Sequence, residues 1–159
     1  FRWGMDNRIY FSTGIDGGMV TVAAEGPEKQ FNTKGRGVIL DPATRKIELT
    51  TGGGQHGMSL GIWNRAFVCA NSVPMQVLMY DDRYIARNPY LAPPPAPVNI
   101  APGGKFTKLM RISQIEPWRI LRTRLRAASE RGDSEGGKPA GFFTAATGIT
   151  AYRGDAWPL

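Results

Sequence analysis

The sequence predicts an all-β, antiparallel fold, and three observations carry that prediction. Short runs rich in Val, Ile, Tyr and Phe recur roughly every ten residues through residues 1–87. Twenty glycines and twelve prolines among 159 residues supply the turns between them. An eight-residue pattern over residues 3–10 returns 57 residues later over residues 60–67, where Gly4, Asn7 and Arg8 are answered by Gly61, Asn64 and Arg65. Each copy reads apolar strand, Gly-containing turn, Asn-Arg, apolar strand. A hairpin repeated at that distance has the spacing of one four-stranded propeller blade.

The elements follow in order. Residues 8–12 are β-branched and aromatic and are closed by Gly14. Residues 19–23 follow the Gly17-Gly18 turn signal. Residues 37–40 run into Asp41-Pro42, a turn opener, and residues 46–50 alternate polar and apolar as a half-buried strand does. Residues 66–70 and 75–80 complete the strands. Six of the twelve prolines then fall within residues 88–104, which predicts a loop or polyproline-like excursion, because proline lacks the donor a strand interior needs. Ser113 and Glu116 have capping-box spacing and Pro117 suits a first helical turn. A short helix is expected there, with Trp118, Leu121 and Leu125 on one face and Arg119, Arg122 and Arg126 on another. Residues 131–141 read as a polar Gly-rich loop, and residues 142–152 return to strand-like texture before Arg153-Gly154-Asp155, which reads as a hairpin turn.

Charge is concentrated in one segment. The chain carries a formal +7, and residues 105–131 hold eight basic residues against two acidic ones, leaving the rest close to neutral. Such a segment attracts anions, or it is a solvated helix face whose arginine stems cover apolar neighbours. Arg119, Arg122 and Arg126 are its anion-binding candidates. A nucleic-acid partner is not expected, because only Trp118 interrupts the cluster and no recognised module accompanies it. No run approaches the ~20 apolar residues of a membrane span. A single cysteine, Cys69, and a single histidine, His56, leave no internal disulfide and no metal site built on those residues. The chain opens on Phe1 and closes on Trp157-Pro158-Leu159, which reads as a piece of a longer protein.

Five segments in order carry a resemblance: residues 2–10, 67–72, 82–89, 111–119 and 148–155. Together they resemble the β-propeller domain of the membrane-bound dehydrogenases of Planctomycetes and Verrucomicrobia. That domain is distantly similar to the glucose/sorbosone dehydrogenases, which use pyrroloquinoline quinone. The resemblance implies a partial six-bladed propeller of about two blades plus the start of a third. The blades would be residues 1–56, residues 57–147 with a Pro-rich loop and basic helix inserted over 88–141, and the start of the next at 148–159. It implies sugar or aldehyde oxidation, with electrons passed to a c-type haem domain elsewhere in the full-length chain, and a periplasmic or other extracytoplasmic setting. The other function open to such a domain is non-catalytic binding of carbohydrate or protein. The haem attachment pattern C-x-x-C-H is absent here, and the family's catalytic histidine would fall before Phe1. The Arg-Asn pair that holds the quinone in those enzymes is replaced by Gly53-Gly54-Gln55-His56-Gly57. This stretch of chain alone is therefore expected to be inactive.

His56 is the catalytic candidate, as a proton acceptor set in a glycine-rich approach that lets a ligand near the backbone. The alternative is a turn histidine bonded to backbone. Gln55, Gly57 and Asn71 are the substrate- or cofactor-binding candidates. Gly52-Gly53-Gly54 lacks the Lys-Ser/Thr and helix of a phosphate loop. Asp16 alone is too little for calcium, and Cys69 reads as a small buried apolar residue.

Overall fold

The computed structural model describes residues 1–23, 26, 29–105, 107–110, 112–129, 142–143 and 145–157. It is mostly β-sheet, and every ladder in it is antiparallel. The first sheet contains β1 (Arg2–Trp3), β2 (Ile9–Ser12), β5 (Arg36–Leu40) and β6 (Ile47–Thr51), in that order across the sheet. Between β2 and β5 the chain inserts a separate hairpin, β3 (Met19–Thr21) with β4 (Gln30–Asn32). The second sheet is a meander of β7 (Gly57–Leu60), β8 (Ala66–Ala70), β9 (Val73–Leu78) and β10 (Pro97–Asn99), with residues 79–96 inserted between its last two strands. Two α-helices, α1 (Asp82–Ile85) and α2 (Pro117–Ala127), and a 3-10 turn at Ile62–Asn64 complete the elements among the described residues.

The 57-residue repeat is structural, not only textual. Arg2 pairs with Tyr10 and Trp3 with Ile9. Ser59 pairs with Phe67 and Leu60 with Ala66, the same register 57 residues on. Gly4 N–H donates to the Arg8 carbonyl at 2.7 Å, and Gly61 N–H donates to the Arg65 carbonyl at 2.9 Å. Asn7 and Asn64 both take positive φ, +59° and +55°, a conformation that asparagine tolerates better than most residues. A side chain on Gly4 would strike the Tyr10 ring, and one on Gly61 the equivalent Phe67 ring. Identity at Gly, Asn and Arg thus keeps the strand register, the closing hydrogen bond and the positive φ at Asn, while the residue before Asn differs, with Trp63 at φ +64° and Asp6 not at positive φ.

The two sheets contact each other at several points. At one end the hairpin turns meet, where Met5 N–H donates to Asn64 Oδ1 at 2.7 Å. At the other end the Ser12 hydroxyl donates to the Gly54 carbonyl at 2.6 Å. Gly54 sits between the layers, where a side chain would press on both Ser12 Oγ and Val68. Strand β8 is buried on both faces. Val68 points toward the first sheet, while Cys69 points to the other side, where its thiol reaches the Ala146 carbonyl at 3.7 Å. With exposures of 1% and 0%, these two neighbours explain why β8 reads as a continuous apolar run and not as an alternation. Burial also pushes the Cys69 thiol above its ordinary pKa, as expected of an inert core cysteine.

Several expectations change. The strand expected over 19–23 ends at Thr21, and the one expected over 75–80 runs Val73–Leu78. The Pro-rich stretch contains a strand after all. Pro97 opens β10, which is the edge of its sheet, where the missing N–H leaves no ladder bond unmade. Glu116 stands at the N-cap of α2 without a side-chain cap, so Ser113 and Glu116 do not form a capping box. The reason is Pro117, which disfavours helical φ/ψ at the residue before it and fixes the start of α2 at itself. The apolar stripe of α2 faces outward, with Trp118, Leu121 and Leu125 all exposed while Thr123 is buried. Asp82 and Arg83 lie in α1, capped by the Asp81 carboxylate, which accepts from Arg83 N–H. Residues 145–151 lie against β7 and the β8–β9 turn without a ladder of their own among the described residues. The Gly-rich loop expected over 131–141 lies outside the described residues.

Candidate functional site

The connection from β6 to β7 and the turn from β8 to β9 meet at one end of the second sheet, and they carry four of the sequence candidates. The β7–β8 ladder ends at Gly57 paired with Cys69. Beyond it the Cys69 carbonyl accepts two N–H groups, from Gln55 at 2.9 Å and from His56 at 3.3 Å. Gln55 Oε1 then accepts the Asn71 N–H at 2.8 Å. Asn71 Oδ1 accepts the Ala145 N–H at 2.9 Å, and the Asn71 carbonyl accepts from Ala146. Gly57 has no room for a side chain, since Cys69 Sγ, Gly148 and the Thr147 carbonyl surround it.

Both amide oxygens are therefore spent on backbone, which fixes the orientation of the two side chains. The amide nitrogens of Gln55 and Asn71 donate to no described residue. They form a pair of oriented donors suited to hydroxyl or carbonyl oxygens. The His56 imidazole is exposed beside them, anchored only through its main chain. In the first sheet the equivalent turn is replaced by the β3–β4 hairpin. Its base is held by Thr33, 1% exposed, whose hydroxyl exchanges hydrogen bonds with both Gly18 N–H and the Gly18 carbonyl at 3.0 Å.

A tricarboxylate quinone does not fit these residues. Gln55, His56 and Asn71 include neither an ammonium nor a guanidinium. The arginine that opens β5, Arg36, is committed to Asp82 and to the Thr50 carbonyl. No group of three or more His, Cys, Asp or Glu that could hold a metal ion occurs among the described residues. The quinone of the dehydrogenases that the sequence resembles draws no support from these residues.

The anion candidates stand elsewhere, on α2. Arg119 pairs with Glu116 at 3.2 Å, and the guanidiniums of Arg119 and Arg122 lie 5.0 and 5.3 Å from the Trp118 ring centre. Arg126 is exposed. Two of the three cations thus use their charge locally, in the manner of stems and heads laid over an aromatic neighbour.

Sequence reading missed a second feature, a cleft of ≈ 360 Å³ between the sheets. Its lining includes Asp6, Tyr10, Trp63, Asn64, Arg65 and Asp81. The Tyr10 hydroxyl donates to Asp6 Oδ2 at 2.7 Å. Burial first, then that bond and the charges of Asp6 and Asp81, push the Tyr10 hydroxyl well above its ordinary ionisation. The folded state therefore holds the Tyr10 proton more tightly than the unfolded chain does. Its contribution is complete below about pH 10 and is lost as pH rises beyond that. Urea titrations at pH 9 and pH 11 should show wild type losing more stability over that interval than Tyr10→Phe does. An equal loss in both would remove Tyr10 as the cause.

The family described as a domain of unknown function, DUF7133, matches residues 1–159, the whole chain. No curated protein and no solved structure matches it. No helix among the described residues is long and apolar enough to cross a membrane.

Proposed function

We propose, from the premise that the chain belongs to the DUF7133 family, that its two sheets are consecutive blades of a six-bladed β-propeller of dehydrogenase type. The observation that carries this reading is the repeat: two four-stranded antiparallel sheets in contact with each other share hairpin register at a 57-residue offset. Blades of a propeller are meanders of this kind packed face to face. Residues 145–151 lie on the far face of the second sheet, which supports a further blade beginning at residue 148.

The end that carries Gln55, His56 and Asn71 then borders the propeller's central channel and takes a sugar or an aldehyde. Gln55 and Asn71 donate to its oxygens. Oxidation of a hemiacetal or a hydrated aldehyde removes a hydroxyl proton and a hydride. His56 takes the proton, and the hydride leaves for an acceptor held by other parts of the full-length protein, which pass its electrons to a c-type haem domain in an extracytoplasmic compartment. A second reading, carbohydrate binding without turnover, is favoured by the lack of cationic side chains in the Gln55–His56–Asn71 group.

Dye-linked oxidation of aldoses and aldehydes by the full-length protein tests the first reading. Gln55→Glu keeps the bond accepted from Asn71 but removes the donor. It should raise KM by roughly tenfold, the worth of about one hydrogen bond, with kcat little changed. Binding of these sugars with no dye reduction would favour the second reading. Neither binding nor reduction would overturn both.

A further inference from the structure

The inter-sheet cleft runs from Ser12, Gly52 and Gly54, next to Gln55, to a mouth made by the two repeated hairpin turns, residues 4–8 and 61–65. The repeat keeps Gly, Asn and Arg in both turns but sets Asp6 in one against Trp63 in the other. Both side chains line the same cleft. Nothing in the fold accounts for Trp63. It is 88% exposed, so it contributes no core area. Its φ is +64°, in the left-handed region that costs a non-glycine residue about 1 kcal/mol. An exposed indole held in a strained turn at the rim of a cavity is a binding feature before it is a packing one.

The polar groups around it are partly fixed and partly open. Asp6 Oδ2 accepts from Tyr10, which orients the carboxylate. Asn64 Oδ1 accepts from Met5 N–H, and its NH2 donates to no described residue. The Arg65 guanidinium also has no described partner. Charge within the cleft is balanced, with Asp6 and Asp81 against Arg65 and Arg83. A balanced, donor-and-acceptor-rich cleft beside a flat apolar ring suits a neutral ligand with hydroxyls at its edge and C–H bonds on its face.

We infer that this cleft binds a neutral pyranose unit of an oligosaccharide, its C–H face on the Trp63 indole and its hydroxyls between Asp6 and the Asn64 and Arg65 donors. The inference concerns the hairpin-turn mouth of the cleft and does not rest on Gln55, His56 or Asn71, none of which lines it. The test is a printed array of neutral, acidic and amino glycans probed with the full-length protein. Neutral glycans should be retained, and Trp63→Ala should lose at least tenfold in affinity for them. Trp63→Gly should lose binding equally while raising the melting temperature, because glycine adopts that φ freely. A merely structural tryptophan would instead melt lower when removed. Retention of no neutral glycan would overturn the inference, as would binding that survives Trp63→Ala. Binding lost in Gln55→Glu but kept in Trp63→Ala would place the sugar at Gln55 and overturn it too.

Discussion

Gly52→Ala is expected to cost about 3 kcal/mol or more and to leave little of the first sheet folded at 37 °C. Gly52 follows β6, and a methyl group there would overlap the main chain of Arg36 and Gly37 in the partner strand. The obstacle is backbone, so no side-chain rotation relieves it. Opening the gap would break the pairing of Arg36 with Thr51 and Gly37 with Thr50. It would also pull at Arg36, which ties β5 to Asp82 of α1. A urea or thermal melt followed by circular dichroism checks this. Gly18→Ala is the control. Nothing lies within 4 Å of its added methyl and its φ is not positive, so stability should be unchanged or slightly raised. Equal stability of the two variants would mean that β5 and β6 do not approach as described.

His56→Ala in the full-length protein is expected to lower kcat by ~10²–10⁴, with a smaller effect on KM. The size follows from the role. A positioned proton acceptor contributes only as the hydroxyl ionises, so its loss falls on turnover. Folding should be spared. The imidazole is exposed, and the bond that holds this residue runs from its main-chain N–H to the Cys69 carbonyl, which alanine keeps. The melting temperature should therefore stay within the small range typical of surface substitutions. Unchanged kcat with unchanged stability would reduce His56 to a turn residue and leave proton removal to another group.

What the sequence made legible depended on how local the cause was. β8 spans Ala66–Ala70 as expected, because both of its faces are buried and every residue in it is apolar. The hairpin echo was readable because Gly4 and Gly61 answer a local demand, room for the ring of Tyr10 or Phe67 across the strand. By contrast, β4 has one apolar residue, Phe31, between Gln30 and Asn32, and is a strand only because β3 pairs with it. The β10 edge was hidden by Pro97, and the start of α2 by a Ser113–Glu116 spacing that Pro117 overrules. At the site, Gln55, His56, Gly57 and Asn71 were singled out one by one. That Gln55 and Asn71 share a hydrogen bond depends on the meander bringing residues sixteen apart together. The cleft was invisible for the same reason. Its walls come from different sheets, joined by contacts such as Thr50 to Asp81. One signal was present: Trp63 stands where the first copy of the repeat has Asp6.

The central claim is that the two sheets are equivalent units of one repeating architecture, and an experimental structure of the full-length protein tests it most directly. The expected result is a ring of four-stranded sheets in which residues 1–51 superpose on 57–99 strand for strand. Arg2 should fall on Ser59 and Tyr10 on Phe67, with β1 and β7 innermost and residues 145–151 paired into the following sheet. β1 and β7 in non-equivalent places, or sheets that do not succeed one another around a common axis, would contradict it.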